Sequence, residues 1–120
     1  MPSGHDTHHL FIQMTDPLGE DNKILLVNVS SINMETYHDE TCILNAGDHP
    51  FITHPSYIRY DKARIEPVQK IEDAVQRSIF FPRGILSEAV FVRVVQGFRD
   101  SPRVARNILR FLEEDQNAID

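Results

Sequence analysis

The chain has 120 residues, 41% of them hydrophobic and 25% charged, with a formal net charge of −6. That length supports one hydrophobic core, and that balance excludes both a disordered chain and a small disulfide scaffold. Cys42 is the only cysteine, which permits no internal disulfide and fits a reducing cytoplasm, and no apolar run approaches the roughly 20 residues of a membrane helix.

Residues 1–9 are polar, without a basic stretch followed by an apolar one, so no signal peptide is expected. Residues 9–14 alternate around Leu10, Ile12 and Met14, and Asp16-Pro17-Leu18-Gly19 is a turn sequence, which together predict a first hairpin. Residues 23–29 are rich in Ile, Leu and Val, the composition of a strand buried on both faces. A polar connection follows, then a short strand at 41–44 closed by Asn45, Gly47 and Pro50. Residues 56–60 alternate again as a fourth strand, continued after a bend by 62–65. Pro67 suits the first turn of a helix in which Val68, Ile71 and Val75 share a face. Residues 78–81 read as a last short strand.

The C-terminal third is helical. Ser87-Glu88 is a helix start, and Val90, Val94, Val95 and Phe98 recur every three or four residues, with Gly97 a soft point near the end. Ser101-Pro102 offers an N-cap with proline at the first helical position, followed by an apolar face of Val104, Ile108, Phe111 and Leu112. At helical spacing Arg99, Arg103, Arg106 and Arg110 fall on the opposite face, as a solvated stripe or as a contact for phosphate or a partner. The expected fold is α+β: one domain over 1–120, with 1–8 a flexible start, 9–81 a small antiparallel β-barrel with a short helix, and 86–114 C-terminal helices packed on it.

The charge is unevenly spread. Residues 1–76 sum to −7, residues 77–110 to +5 and residues 111–120 to −4. Every cation in the basic segment is arginine, the side chain suited to bidentate phosphate contact.

Two clusters carry candidate chemistry. The first is the loop from Asn45 to Ser56, where Asp48, His49 and His54 sit between prolines. It is open to three readings: proton transfer by the histidines, a metal site drawing also on His38 or Cys42, or side chains that bond their own loop backbone. The second is Tyr57-Ile-Arg59-Tyr-Asp61, followed by Lys62 and Arg64. Strand periodicity places Tyr57, Arg59 and Asp61 on one face, either as an ordinary ion pair or as a charge stabiliser beside a base. Cys42, in an apolar strand, is a small core residue. No glycine-rich phosphate loop, nucleophile elbow or zinc finger is present, and no cofactor is implied.

Four segments taken together resemble the MazF/PemK toxin family. Lys23-Ile-Leu-Leu-Val-Asn-Val-Ser-Ser31 is similar to the family's central strand ending in Thr-Ser, and Thr41-Cys-Ile-Leu-Asn-Ala-Gly-Asp48 to its next strand and glycine loop. Ser56-Tyr-Ile-Arg-Tyr-Asp-Lys-Ala-Arg-Ile65 resembles the strand carrying Arg-x-Asp, and Gly84-Ile-Leu-Ser-Glu-Ala-Val the opening of the C-terminal helix. The resemblance implies an SH3-like barrel acting as an endoribonuclease, a homodimer neutralised by a cognate antitoxin protein. It assigns Arg59 as acid or charge stabiliser, Asp61 as the base for the ribose 2′-hydroxyl, and Ser30 or Ser31 as the phosphate holder. His49 or His54 would assist as a second proton carrier, and Tyr57, Lys62 and Arg64 would contact RNA. Cleavage by the 2′-oxygen needs no metal. The alternatives are a non-catalytic binding module of the same fold and a metal-dependent hydrolase built on the His49/His54 loop.

Overall fold

A computed structural model describes residues 10–77 and 86–119, with side chains through residue 115. The segment 78–81, with its expected strand, and Gly84 of the family-like segment lie outside the described residues, as do His8 and His9.

Among the described residues four strands, β1 (Leu10–Gln13), β2 (Lys23–Ser31), β3 (Ile43–Leu44) and β4 (Ser56–Pro67), form one antiparallel sheet in the order β1-β2-β4-β3. It curls into a half-barrel accompanied by the helices α1 (Val68–Gln76), α2 (Glu88–Asp100) and α3 (Arg106–Ile119). The expected first hairpin is present, but its loop is 19–22 rather than Asp16 to Gly19. Leu18 and Lys23 pair across it, and Gly19 and Asn22 take positive φ, +76° and 49°. β2 is buried on both faces over Ile24, Leu25, Leu26 and Val27, as its composition predicts.

β4 is longer than the sequence indicates, because the bend at 60–63 is a bulge within one strand. Leu26 pairs with Arg64 and Asn28 with Arg59, so Val27 alone stands opposite residues 60–63. The surplus of three residues is odd, and it reverses which parity of β4 faces inward. Ile58 and Tyr60 point into the core before the bulge, and Ala63 and Ile65 pack against it afterwards. The outward set therefore runs from Tyr57 and Arg59 to Arg64 and Glu66.

Helices α2 and α3 cover the inner face. Val90, Val94, Val95, Phe98, Ile108 and Leu112 meet Leu25, Val27, Leu44, Ile58 and Tyr60 in one core. Cys42 is buried there, and burial pushes its thiol up, as suits a packing residue. Tyr60 locks the layers: its hydroxyl donates to the Val94 carbonyl at 2.8 Å and its ring meets Phe98 edge-on at 4.8 Å. Gly97 is no soft point. A Cβ there would lie 1.8 Å from the Tyr60 hydroxyl, so the helix approaches the sheet only because position 97 has no side chain.

Ser87 caps α2 as expected, its Oγ accepting from the Val90 N–H at 3.3 Å, with Glu88 in the first turn and Arg99 in the last. The start of α3 is different. Ser101 ends α2, its N–H donating to the Gly97 carbonyl, and its Oγ donates to the buried Asp39 carboxylate at 2.6 Å. The same Oγ accepts from the Arg103 N–H at 3.1 Å, so Ser101 caps a separate turn at 102–103, and α3 begins only at Arg106. The continuous arginine stripe is therefore broken. Arg99 belongs to α2, Arg106 and Arg110 to α3, and Arg103 lies in the turn with its guanidinium 4.6 Å from the centre of the Tyr37 ring.

Candidate functional site

Arg59 and Asp61 stand on the outward side of β4, at and just before the bulge. Arg59 Nε donates to Asp61 Oδ1 at 3.0 Å and Nη2 to Oδ2 at 2.8 Å, a bidentate fork between side chains 29% and 44% exposed. The hydrogen bonds from Arg59 outweigh partial burial and hold the Asp61 carboxyl below the usual carboxylate range. In return the Asp61 carboxylate raises Arg59 above its ordinary value. Asp61 is thus ionised and able to accept a proton at neutral pH, while Arg59 keeps its protons and acts through charge. A pair this open to water contributes at most about 1 kcal/mol to stability, so its contribution to the fold is small.

The sheet register supplies the surroundings. Asn28 of β2 lies directly opposite Arg59, and Ser30 opposite Tyr57. The Arg59 guanidinium sits 5.8 Å from the centre of the Tyr57 ring, whose other neighbour is the His38 ring at 5.5 Å. Arg64 is opposite Leu26, stacks at 4.7 Å over Phe11 of β1, and approaches Glu66 at 3.3 Å. Leu26 and Asn28 are two residues apart on β2, so the bulge brings Arg59 and Arg64 to neighbouring outward positions about 7 Å apart. Without it, five residues of regular strand would send them to opposite faces. The structure thus gathers Ser30, Tyr57, Arg59, Asp61 and Arg64 on one side of the sheet, with Lys62 exposed in the bulge beside them.

His38 is the residue that sequence reasoning did not place here. Its Nδ1 is buried without a hydrogen-bond partner among the described residues, and its ring borders Tyr57. Nothing local signals this, because the contact depends on the path of the 32–42 connection back across β4. Asp39, next to it, is also a structural surprise. It is 6% exposed and accepts from Thr41 N–H at 2.9 Å, Thr41 Oγ1 at 2.5 Å and Ser101 Oγ at 2.6 Å. Burial pushes its carboxyl upward, but those bonds and the charge of Arg103 prevail and hold it below the ordinary range.

The histidine loop is organised differently. Asp48 accepts from the Asn45 N–H at 2.7 Å and from Arg93 Nη1 at 3.3 Å, and Arg93 Nη2 also donates to the Ile43 carbonyl at 2.7 Å. The Asn45 bond, with help from Arg93, holds the Asp48 carboxyl low. His49 Nδ1 accepts from the Phe51 N–H at 3.2 Å. Both side chains bind their own loop backbone, and Asp48 also pins the loop to α2 through Arg93. His54 bonds Ser31 through Nε2 at 2.5 Å and Thr53 through Nδ1 at 3.1 Å. Ser31 pairs with Ser56, three residues from Arg59 and of opposite parity on β4. The hydrogen bonds of His49 and His54 therefore lead to their own loop and to Ser31, not to Arg59 or Asp61. Among the described residues, no group of three or more His, Cys, Asp or Glu converges on a point that could hold a metal ion, and no helix is long and apolar enough to cross a membrane.

No protein-family model matches the sequence, and no curated protein or solved structure matches it.

Proposed function

We propose that this protein is a metal-independent endoribonuclease of the MazF/PemK kind, with an SH3-like barrel, that cleaves single-stranded RNA in the cytoplasm. The observation that carries the reading is the half-exposed Arg59–Asp61 fork on the sheet face that also carries Ser30, Arg64 and the largely buried Tyr57. Asp61 takes the proton of a ribose 2′-hydroxyl as the 2′-oxygen attacks the adjacent phosphorus. Arg59 stabilises the negative charge that grows on the phosphoryl oxygens. The bond from phosphorus to the 5′-oxygen breaks, leaving a cyclic phosphate, and the departing oxygen takes a proton from solvent. Of the two serines, Ser30 suits the phosphate because it shares the face of Arg59, whereas Ser31 is engaged by His54. Arg64 and Lys62 meet the neighbouring phosphate. The family resemblance adds a homodimer and a cognate antitoxin protein as partners.

Purified protein and Asp61→Ala are incubated with a mixed-sequence single-stranded RNA in EDTA, and fragment ends are read for cyclic phosphate. Cleavage by the wild type alone supports the reading, and absence of cleavage at high protein concentration rejects it.

A second reading rests on the fork itself. Because Nε and Nη2 of Arg59 are both occupied by Asp61, the pair also suits a non-catalytic binding module in which it is structural. A complex with RNA or protein that survives Arg59→Ala and Asp61→Ala, without cleavage, identifies that case.

A further inference from the structure

His54, Ser31 and Thr53 are unused by the RNA chemistry, yet they have the geometry of an activated nucleophile. Ser31 ends β2 with its side chain exposed, and its Oγ lies 2.5 Å from His54 Nε2. The other ring nitrogen, Nδ1, lies 3.1 Å from Thr53 Oγ1. With the Nδ1 hydrogen donated to Thr53, Nε2 carries the free lone pair and accepts the Ser31 proton. Nucleophile, base and a third group that orients the base make up the arrangement that activates such a nucleophile.

The backbone holds the pair in place from both sides. Ser31 is registered against Ser56, the Ile32 N–H donates to the Pro55 carbonyl at 3.1 Å, and Ser56 Oγ donates to the His54 carbonyl at 3.0 Å. Pro55 fixes the backbone between His54 and Ser56. The separation is therefore set by strand pairing between β2 and β4, not by a chance meeting of two long side chains.

We infer that Ser31 is an activated serine nucleophile, with His54 as its base, that accepts small acyl groups from carboxylic esters. Ser31 Oγ bonds to the carbonyl carbon while its proton passes to His54 Nε2. The bond to the alcohol oxygen breaks, and that oxygen leaves with the proton from Nε2. Water, activated by the same nitrogen, then hydrolyses the Ser31 ester and restores the hydroxyl. Both side chains are exposed, so the substrate is a small ester reached directly from solvent. A neutral threonine stabilises the imidazolium less than a carboxylate would, so turnover is slow.

The test uses two reagents on the full chain: a fluorophosphonate, which loses fluoride to a reactive serine, and 4-nitrophenyl acetate. The modified residue is located by peptide mass, for wild type, Ser31→Ala, His54→Gln and Thr53→Val. The expected result is one adduct, on Ser31, formed about 100-fold or more slowly in His54→Gln, the usual scale for losing a general base. Thr53→Val slows it by a smaller factor, and Ser31→Ala takes none. Because these side chains are exposed, thermal unfolding is unchanged in all three variants. No adduct on Ser31 with reagent in large excess overturns the inference, as does equal labelling of wild type and His54→Gln. Neither outcome bears on RNA cleavage, which is measured separately.

Discussion

Replacing Gly97 by alanine tests how the helical layer is held on the sheet. In an isolated helix this change stabilises by about 1 kcal/mol, because glycine is the poorer helix former. Here the added Cβ would lie 1.8 Å from the Tyr60 hydroxyl and 2.5 Å from Cζ. Tyr60 is 1% exposed and packed against α2, so to admit the Cβ either α2 lifts or the ring turns. Overpacking of this kind costs about 1–3 kcal/mol, and losing the bond from the hydroxyl to the Val94 carbonyl adds roughly 0.5–1.5 kcal/mol. Against the propensity gain, the net loss is about 2 kcal/mol. Urea unfolding followed by circular dichroism measures it, with Tyr60→Phe and the double variant completing a cycle. Phenylalanine removes the nearest clashing atom, so the double variant is less destabilised than the sum of the singles. A Gly97→Ala protein as stable as the wild type, or more so, would refute the close-packing argument.

On the proposed mechanism, Asp61→Ala and Arg59→Ala each lower RNA cleavage by about 100-fold or more, while unfolding free energy changes by less than about 1 kcal/mol because the pair is largely open to water; a large stability loss in both would mark the fork as structural. Asp39→Ala costs about 2–4 kcal/mol at neutral pH, since it strips partners from the buried Ser101 and half-buried Thr41 hydroxyls, and urea unfolding checks this. The Asp39 carboxyl is held below its ordinary value of 3.8 in the folded state, so its contribution is complete above that pH and fades as pH falls through the lower folded value. The wild type therefore loses stability more steeply than Asp39→Ala below about pH 4, and parallel acid profiles would contradict this. Ser87→Ala removes the α2 cap and costs about 1 kcal/mol by the same unfolding measurement.

Features that depend on near neighbours were legible in the chain. The apolar run at Ile24 to Val27 buries both faces wherever it is placed, and Ser87 caps α2 through a bond to a residue three positions on. The pairing of Arg59 with Asp61, two residues apart, follows from the same short range. The half-barrel and its helices were legible as a class for this reason, since hydrophobic period alone separates strand from helix. The misplaced features all depend on partners distant in sequence. Ser101 has the composition of a helix start, yet its hydroxyl donates to Asp39, 62 residues away, and accepts from the Arg103 N–H to close a separate turn, and α3 begins later. Gly97 resembles a weak point until Tyr60 arrives against it from the sheet. Arg64 joins the face of Arg59 only because the bulge against Val27 reverses the parity of β4, and His38 reaches Tyr57 only because its connection folds back over that strand. Local propensity and pattern determine which elements form. Register, close approach and the assignment of polar partners arise from three-dimensional packing, which brings together groups far apart in the chain.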